Sequence, residues 1–243
     1  MFRFVTKKDY WDVLNSNILD NIKEKKDFSW HLKSIQDAIA FSYLHEFSGK
    51  YIAEIGGGNS RLLSSLAMNN TCFNIDEFNG AGGGPRKECV LPGVKNILAR
   101  IGSFSGSIES EQFDAIFSIS VVEHVPNEGI SDFFNDSYRI LKPSGLMIHL
   151  IDVYLEDAMG DNKYASRRVL TYGSFFNDIF LPLEPSIILT EKDVVFSTSF
   201  ATNPDNMMER WNRSVPKLRN KRERAQSCSL LMVGTKTTSC SPP

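Results

Sequence analysis

The chain has 243 residues, which is the length of one α/β domain with additions or of two small domains. Its 42% hydrophobic and 23% charged residues exclude a mostly disordered chain and are sufficient for a full core. With 27 basic and 29 acidic residues the net charge is −2, so the overall charge predicts no attraction to nucleic acid or to an anionic membrane.

The cysteines and the apolar segments limit the class of protein further. Cys72, Cys89, Cys228 and Cys240 form no C-x-x-C pair, so neither a structural zinc site nor a dithiol redox motif is expected. The first residues lack an apolar core of signal-peptide length, and no stretch of about 18 uncharged apolar residues predicts a membrane span. We therefore expect a soluble, cytoplasmic protein with reduced thiols and without a metal site.

The first fifty residues are predicted to be helical, because Leu32, Ile35 and Ile39 lie on one side of a helix that Ser48-Gly49 ends. Two further helices are predicted at residues 61–68 and 131–141. Strands are predicted at residues 51–55, 72–75, 94–100, 113–119, 146–151, 194–200 and 230–234. This alternation predicts a mostly parallel sheet covered on both faces, with ligand-binding loops at the carboxyl ends of the strands.

The alternation also predicts how the chain is divided. Residues 1–48 form a helical cap, and residues 49–152 form the ligand-binding core. Residues 153–243 elaborate one edge of that core and supply the last two strands of the same domain.

The central motif is the turn Gly56-Gly57-Gly58 between a strand and a helix, with Glu54 just before it. Residues without a Cβ allow a tight turn and let a ligand approach the main chain. The following helix offers free N–H groups to a polar ligand. Asp76 ends the next strand, where a carboxylate can accept both hydroxyls of a ribose. The pattern predicts a nucleoside-binding crevice.

Three other interpretations of the turn are weighed against this one. A dinucleotide site has a third small residue in G-x-G-x-x-G, but Arg61 stands at that position. A P-loop is excluded because no Gly-Lys-Ser/Thr follows the turn. A turn without a ligand remains the third interpretation.

Four motifs in this order resemble those of class I S-adenosylmethionine-dependent methyltransferases. They are Tyr51–Leu66, Asp76, Phe113–Ser118 with Val121–Val125, and Leu141–Leu146, and together they cover about residues 50–152. The resemblance implies an α/β fold with a doubly wound, mostly parallel seven-stranded Rossmann-like sheet, helices on both faces and an antiparallel last strand. It also implies methyl transfer from S-adenosylmethionine.

The resemblance implies roles for residues at the glycine turn and the second strand. Gly56 and Gly58 pass beneath the methionine part of the cofactor, and Glu54 helps to orient its amino group. Asp76 holds the ribose hydroxyls, with Glu77 as the adjacent alternative.

Two further segments are assigned to the cofactor by the same resemblance. Ser103 and Phe104 stand where the family often has an acidic residue near the adenine amino group. Ser103 is expected to supply a hydrogen bond there, and Phe104 to cover the ring. Ser118 contributes its backbone carbonyl near the cofactor amine.

Methyl transfer needs mainly positioning, and a base only where the acceptor must lose a proton. His124 follows the fourth strand and titrates near neutral pH, so it is the candidate base, with a packed loop histidine as the alternative. His149, Asp152 and Asp157 are weaker candidates to face the acceptor.

The acceptor is expected to be a small molecule, with oxygen slightly favoured over nitrogen. A basic run at residues 210–224 suits an anionic acceptor or is a solvated face. A non-catalytic module that binds the cofactor or a protein is the alternative function.

Overall fold

The computed structural model describes residues 1–22, 32–154, 169–176, 180–182 and 227–237. Its helices are α1 (Lys7–Leu14), α2 (Leu32–Leu44), α3 (Leu63–Leu66), α4 (Ile130–Ile140) and α5 (residues 169–176). Its strands are β1 (Phe2–Phe4), β2 (Tyr51–Ile55), β3 (Thr71–Asp76), β4 (Val94–Leu98), β5 (Phe113–Ile119), β6 (Leu141–Tyr154), β7 (Phe180–Pro182) and β8 (Ser227–Lys236).

The strands form one twisted α/β sheet. Seven of the described strands lie in the order β1-β8-β6-β5-β2-β3-β4, and the three-residue β7 also pairs with β8. Strands β2 to β6 run parallel, whereas β8 is antiparallel to β6. The predicted doubly wound, mostly parallel sheet with an antiparallel last strand is confirmed.

Hydrophobic side chains alternate across the sheet and build a core on each face. In β6, Ile148 and Leu150 belong to the core beneath α2, whereas Met147 and Ile151 belong to the core beneath α4. All four are fully buried, as expected for a strand covered on both sides. The predicted helices on both faces are therefore present.

The amino-terminal end of the chain departs from its helical prediction. Phe2–Phe4 forms β1, which pairs antiparallel with β8 at Leu230–Met232. Strand β7 pairs farther along β8, so the two short strands share this edge of the sheet. A three-residue strand is too short to show a period of two, and its partner lies at the far end of the sequence. The strand predicted at residues 194–200 lies outside the described residues.

The helix predicted at residues 61–68 is much shorter in the structure. Only Leu63–Leu66 is α-helical, and Ser60 accepts hydrogen bonds from the backbone N–H groups of Leu62 and Leu63 at 3.2 and 3.0 Å. A four-residue helix has no appreciable macrodipole, so the turn itself has to supply contacts to a ligand. No helix among the described residues combines the length and the hydrophobicity that a membrane crossing requires.

Candidate active site

The glycine turn follows β2 and needs glycine for two reasons. Gly56 and Gly58 have φ angles of 64° and 51°, in the left-handed region that favours glycine. A Cβ on Gly56 would lie 2.7 Å from Cγ2 of Val121, and one on Gly58 would lie 2.9 Å from Cδ of Pro85. Any side chain at either position would therefore collide with a neighbouring element.

Asp76 connects this turn to the end of β3. Its Oδ2 accepts a hydrogen bond from Gly58 N at 3.0 Å, and its Oδ1 accepts one from Phe78 N at 2.6 Å. Asn74, two residues earlier, donates to the carbonyl oxygen of Gly58 at 2.8 Å. A carboxylate has about four acceptor sites, so Asp76 retains acceptor capacity for ribose hydroxyls.

Glu54 is buried beneath the same turn. The Ser60 hydroxyl donates a hydrogen bond to its carboxyl group. Burial raises the pKa of Glu54 to about 7, although the Ser60 hydrogen bond and the charge of Arg61 act in the opposite direction. Near neutral pH, the fraction of Glu54 that is ionised therefore depends on nearby charges. A cationic ligand group would increase that fraction.

Arg61 binds a residue of α2 through its guanidinium group. Its guanidinium donates to both carboxylate oxygens of the buried Asp37, and the distance from Nη2 to Oδ1 is 2.7 Å. This bidentate pair ties the glycine turn to the amino-terminal helices. It gives a structural role to the residue that breaks the dinucleotide fingerprint.

The segment after β4 contains Ser103 and Phe104. Ser103 Oγ donates to the carbonyl oxygen of Arg100 at 2.7 Å, which leaves its lone pairs as acceptors. Phe104 has a φ of 51°, unusual for a residue other than glycine, and its side chain is 48% exposed. Gly102 N and Phe104 N both donate to Oδ2 of Asp136 in α4, at 2.8 and 3.1 Å.

Asp136 was not singled out by sequence reasoning. The available signal was an aspartate on the buried side of a strongly amphipathic helix, one residue before the buried Ser137. A fully buried carboxylate has to find hydrogen-bond donors, and here they come from the loop after β4.

The glycine-rich loop, residues 79–85, lies between the glycine turn and His124. Gly80 N donates to the carbonyl oxygen of Pro85 at 3.1 Å, and Ala81 N donates to Asn79 Oδ1 at 2.8 Å. Pro85 packs against Gly58, as described above. At its other end, a Cβ on Gly82 would lie 3.1 Å from Cδ2 of His124. The sequence predicts a flexible connection, but the loop closes on its own hydrogen bonds and spans the crevice.

Ser118 lies at the carboxyl end of β5, one residue beyond Phe117, the last residue of that strand to pair with β2. Its Oγ lies 2.7 Å from Nδ1 of the fully buried His149. Burial lowers the pKa of His149 to about 3, and its ring packs against Phe133 and Phe134. His149 is therefore a neutral core residue, although its sequence position made it a candidate to face the acceptor.

His124 lies in a short 3₁₀ turn after β5, and about half of its side chain is exposed. Its Nε2 is 3.9 Å from Oε1 of Glu123. Burial and the charge of Asp152 raise the pKa of Glu123 well above its usual value. Within the described residues, neither carboxyl oxygen of Glu123 has a hydrogen-bond partner of normal geometry. The sequence analysis did not identify this buried carboxyl.

A polar network lies beside Glu123. Asp152 Oδ1 accepts hydrogen bonds from Gln36 Nε2 and Ser120 Oγ, each at 2.7 Å, and Lys33 Nζ lies 3.4 Å from Oδ2. The network joins α2 to the ends of β5 and β6. Asp157 and the basic run at residues 210–224 lie outside the described residues. Among the residues that the structure describes, no group of three or more His, Cys, Asp or Glu side chains is placed to hold a metal ion.

Comparison with known proteins gives one family. A family model described as a methyltransferase domain matches residues 53–149, which include the glycine turn, Asp76, Phe104 and His124. No curated protein sequence matches the chain.

Two solved structures similar to the chain support the same fold. Geranyl diphosphate C-methyltransferase from Streptomyces coelicolor, in complex with Mg²⁺, geranyl diphosphate and S-adenosyl-L-homocysteine, is 12% identical. The match covers 97% of this chain and 92% of that one, with a TM-score of 0.55. The YcgJ protein from Bacillus subtilis is 13% identical over 84% of this chain and 98% of that one, with a TM-score of 0.50.

Proposed function

We propose that the chain is a class I S-adenosylmethionine-dependent methyltransferase that acts on a small-molecule acceptor, because a methyltransferase-domain model matches residues 53–149. The observation that supports the proposal best is the position of the glycine-rich loop. It touches Gly58, a candidate cofactor residue, at one end and His124, the candidate base, at the other. The candidate cofactor and acceptor regions therefore meet at a single crevice.

The residues at the ends of β2 and β3 fit this cofactor. Asp76 has acceptor capacity for the ribose hydroxyls, and the glycine turn allows close approach to the main chain. Glu54 is placed to favour a positively charged group above the turn, because such a group lowers the cost of ionising a buried carboxyl. The cofactor itself supplies an electrophilic methyl group on a sulfonium.

The acceptor is assigned to the ends of β5 and β6. His124 takes the proton that an acceptor hydroxyl loses, and oxygen remains slightly favoured over nitrogen as the accepting atom. An anionic acceptor is part of the proposal, and Lys33, on α2, lies at this end, where its ammonium group pairs with Asp152. The likeness to an enzyme whose structure contains geranyl diphosphate, a small anionic molecule, agrees with that class.

A cytoplasmic location is part of the same proposal. Cys72 and Cys89 are free thiols, and burial raises the pKa of Cys72 to about 12. Unpaired cysteines agree with a reducing compartment. We also retain the division into a cap (1–48), a core (49–152) and an acceptor-side elaboration (153–243).

The test uses methyl-labelled S-adenosylmethionine and a fractionated extract of cellular metabolites. The wild-type chain is expected to transfer label to a component of at least one fraction. Gly58→Arg is expected to abolish transfer, because its side chain collides with Pro85. Gly49→Arg is the matched control, since Gly49 also has a positive φ but open space around it.

Two results would contradict the proposal. Binding of S-adenosyl-L-homocysteine without transfer to any fraction would favour the non-catalytic module. Equal transfer by the wild-type chain and by folded Gly58→Arg would remove the glycine turn from the site.

A further inference from the structure

We propose that Asp136 is a positioning residue for the cofactor, because it holds Phe104 in the conformation that presents its ring to adenine. The inference rests on the proposed use of S-adenosylmethionine at this crevice. Asp136 itself lies in α4 and is fully buried, so it acts through the loop after β4 rather than by touching the cofactor.

One carboxylate oxygen of Asp136 holds the start of this loop. Its Oδ2 accepts hydrogen bonds from Gly102 N at 2.8 Å and from Phe104 N at 3.1 Å. The loop approaches α4 so closely that a Cβ on Gly102 would lie 3.1 Å from Phe133 N. The main chain on both sides of Ser103 is therefore fixed to the helix.

The other oxygen connects Asp136 to the end of the loop. Arg139 Nε donates to Oδ1 of Asp136 at 2.9 Å, and Arg139 Nη1 donates to the carbonyl oxygen of Ile108 at 2.7 Å. The ion pair also compensates the burial of the Asp136 charge. Asp136 and Arg139 thus clamp residues 102–108 at both ends.

This clamp holds Phe104 in an unfavourable backbone conformation. Its φ of 51° is costly for a bulky side chain and persists only where surrounding contacts impose it. The ring gains little from the core in return, since about half of it is exposed. Strained conformations of this kind cluster at ligand sites. An exposed, fixed aromatic ring suits stacking on a planar base.

The position of Phe104 agrees with that use. Strand β4 pairs with β3 so that Leu98 lies opposite Asp76, the candidate ribose ligand. The loop that follows Leu98 therefore leaves the sheet beside the ribose site. An adenine attached to that ribose has Phe104 and Ser103 as its nearest candidate partners on this side.

A double-mutant cycle on affinity for S-adenosyl-L-homocysteine tests the inference. Phe104→Ala and Asp136→Asn are each expected to weaken binding about tenfold, within the range of one lost stacking contact. In the Phe104→Ala background, Asp136→Asn is expected to weaken binding less than about twofold further, because the ring it positions is gone. Calorimetric titration measures the affinities, and thermal unfolding is recorded for every variant.

The melting temperature separates positioning from a merely structural role. Asp136→Asn is expected to lower it by a similar amount in both backgrounds, while its effect on affinity depends on Phe104. Ser137→Ala is the matched control, since Ser137 is also buried in α4 and its hydroxyl has no hydrogen-bond partner among the described residues. If Asp136→Asn does not fold, Arg139→Lys takes its place in the cycle. Lysine keeps the positive charge but lacks the guanidinium geometry.

The outcomes are distinguishable. If Asp136→Asn (or its replacement) weakens binding by the same factor with and without Phe104, or leaves the affinity unchanged, the positioning role is overturned while the proposed function stands. If the wild-type chain itself does not bind S-adenosyl-L-homocysteine, both the positioning role and the proposed function fail.

Discussion

The two halves of the crevice are held in different ways. At the ends of β3 and β4, carboxylates accept hydrogen bonds from main-chain N–H groups, as Asp76 does from Gly58 and Phe78. At the ends of β5 and β6, the carboxyl groups of Glu123 and Asp152 face side chains or have no hydrogen-bond partner of normal geometry among the described residues.

We interpret this difference as one between a cofactor site, whose contacts come from the main chain, and an acceptor site, whose contacts come from side chains. Main-chain donors are independent of residue type, so the half that we propose holds the cofactor depends on the fold and a few glycines. Side-chain donors such as Gln36 and Lys33 come from α2, outside the segment that matches the family model. We therefore expect substitutions in the first half to change cofactor affinity, and substitutions in the second half to change transfer.

The largest effect is expected from His124→Asn, on the acceptor side. Loss of a general base lowers the transfer rate by at least about 100-fold, whereas affinity for S-adenosyl-L-homocysteine stays within about twofold. Single-turnover transfer and calorimetric titration measure the two quantities. His45→Asn, beyond the end of α2, serves as the control. An unchanged transfer rate in His124→Asn would leave His124 a packed loop residue.

Glu54→Gln tests the buried carboxyl beneath the glycine turn. Because folding raises the pKa of Glu54 from 4.5 to about 7, its stabilising effect is complete below pH 4.5 and is lost as the pH rises through 7. The difference corresponds to about 3 kcal/mol in the free energy of unfolding. Denaturant unfolding at several pH values should show that Glu54→Gln removes this dependence of the free energy of unfolding on pH.

Glu46→Gln is the control for Glu54, since the Glu46 side chain is 87% exposed. Parallel pH profiles for the wild-type chain and Glu54→Gln would contradict the raised pKa.

Asp76→Ala tests the cofactor half directly. We expect affinity for S-adenosyl-L-homocysteine to fall at least about tenfold, because charge-assisted bonds to the ribose are lost together with the anchor of Gly58. Glu77→Ala distinguishes the adjacent carboxyl, which accepts a hydrogen bond from Asn79 Nδ2 at 3.1 Å. A loss of affinity in Glu77→Ala and none in folded Asp76→Ala would reassign the ribose site.

The smallest effect is expected from Ser120→Ala. Its hydroxyl lies 2.7 Å from Asp152 Oδ1 and 3.0 Å from Gln36 Oε1 and can donate its single proton to either, so the change loosens the polar network without touching the cofactor half. We expect the transfer rate to fall about threefold, on the scale of one partly exposed hydrogen bond. A larger effect on cofactor affinity than on transfer would contradict the division into two halves.

The sequence predicts the part of this site whose residues lie close together in the chain. A strand, three glycines and an acidic residue at the end of the next strand lie close together in the chain, and all of them meet as predicted. The hydrophobic run of β5 and the amphipathic pattern of α4 predicted those elements within one residue at each end.

The rest depends on contacts between distant segments. Asp136 holds Phe104 across 32 positions of sequence, and no pattern around either residue encodes that pairing. Likewise, Pro85 packs on Gly58 because the glycine-rich loop turns back towards the glycine turn. Glycines in a sequence predict a flexible backbone, but they do not predict the path that the loop takes. Strand β1 forms because it pairs with β8, a strand near the other end of the sequence.

A crystal structure of the chain with S-adenosyl-L-homocysteine tests the central claim most directly. We expect ribose hydroxyls within hydrogen-bond distance of Asp76 and adenine against the ring of Phe104. A nucleoside bound elsewhere, with no contact to either residue, would contradict the claim.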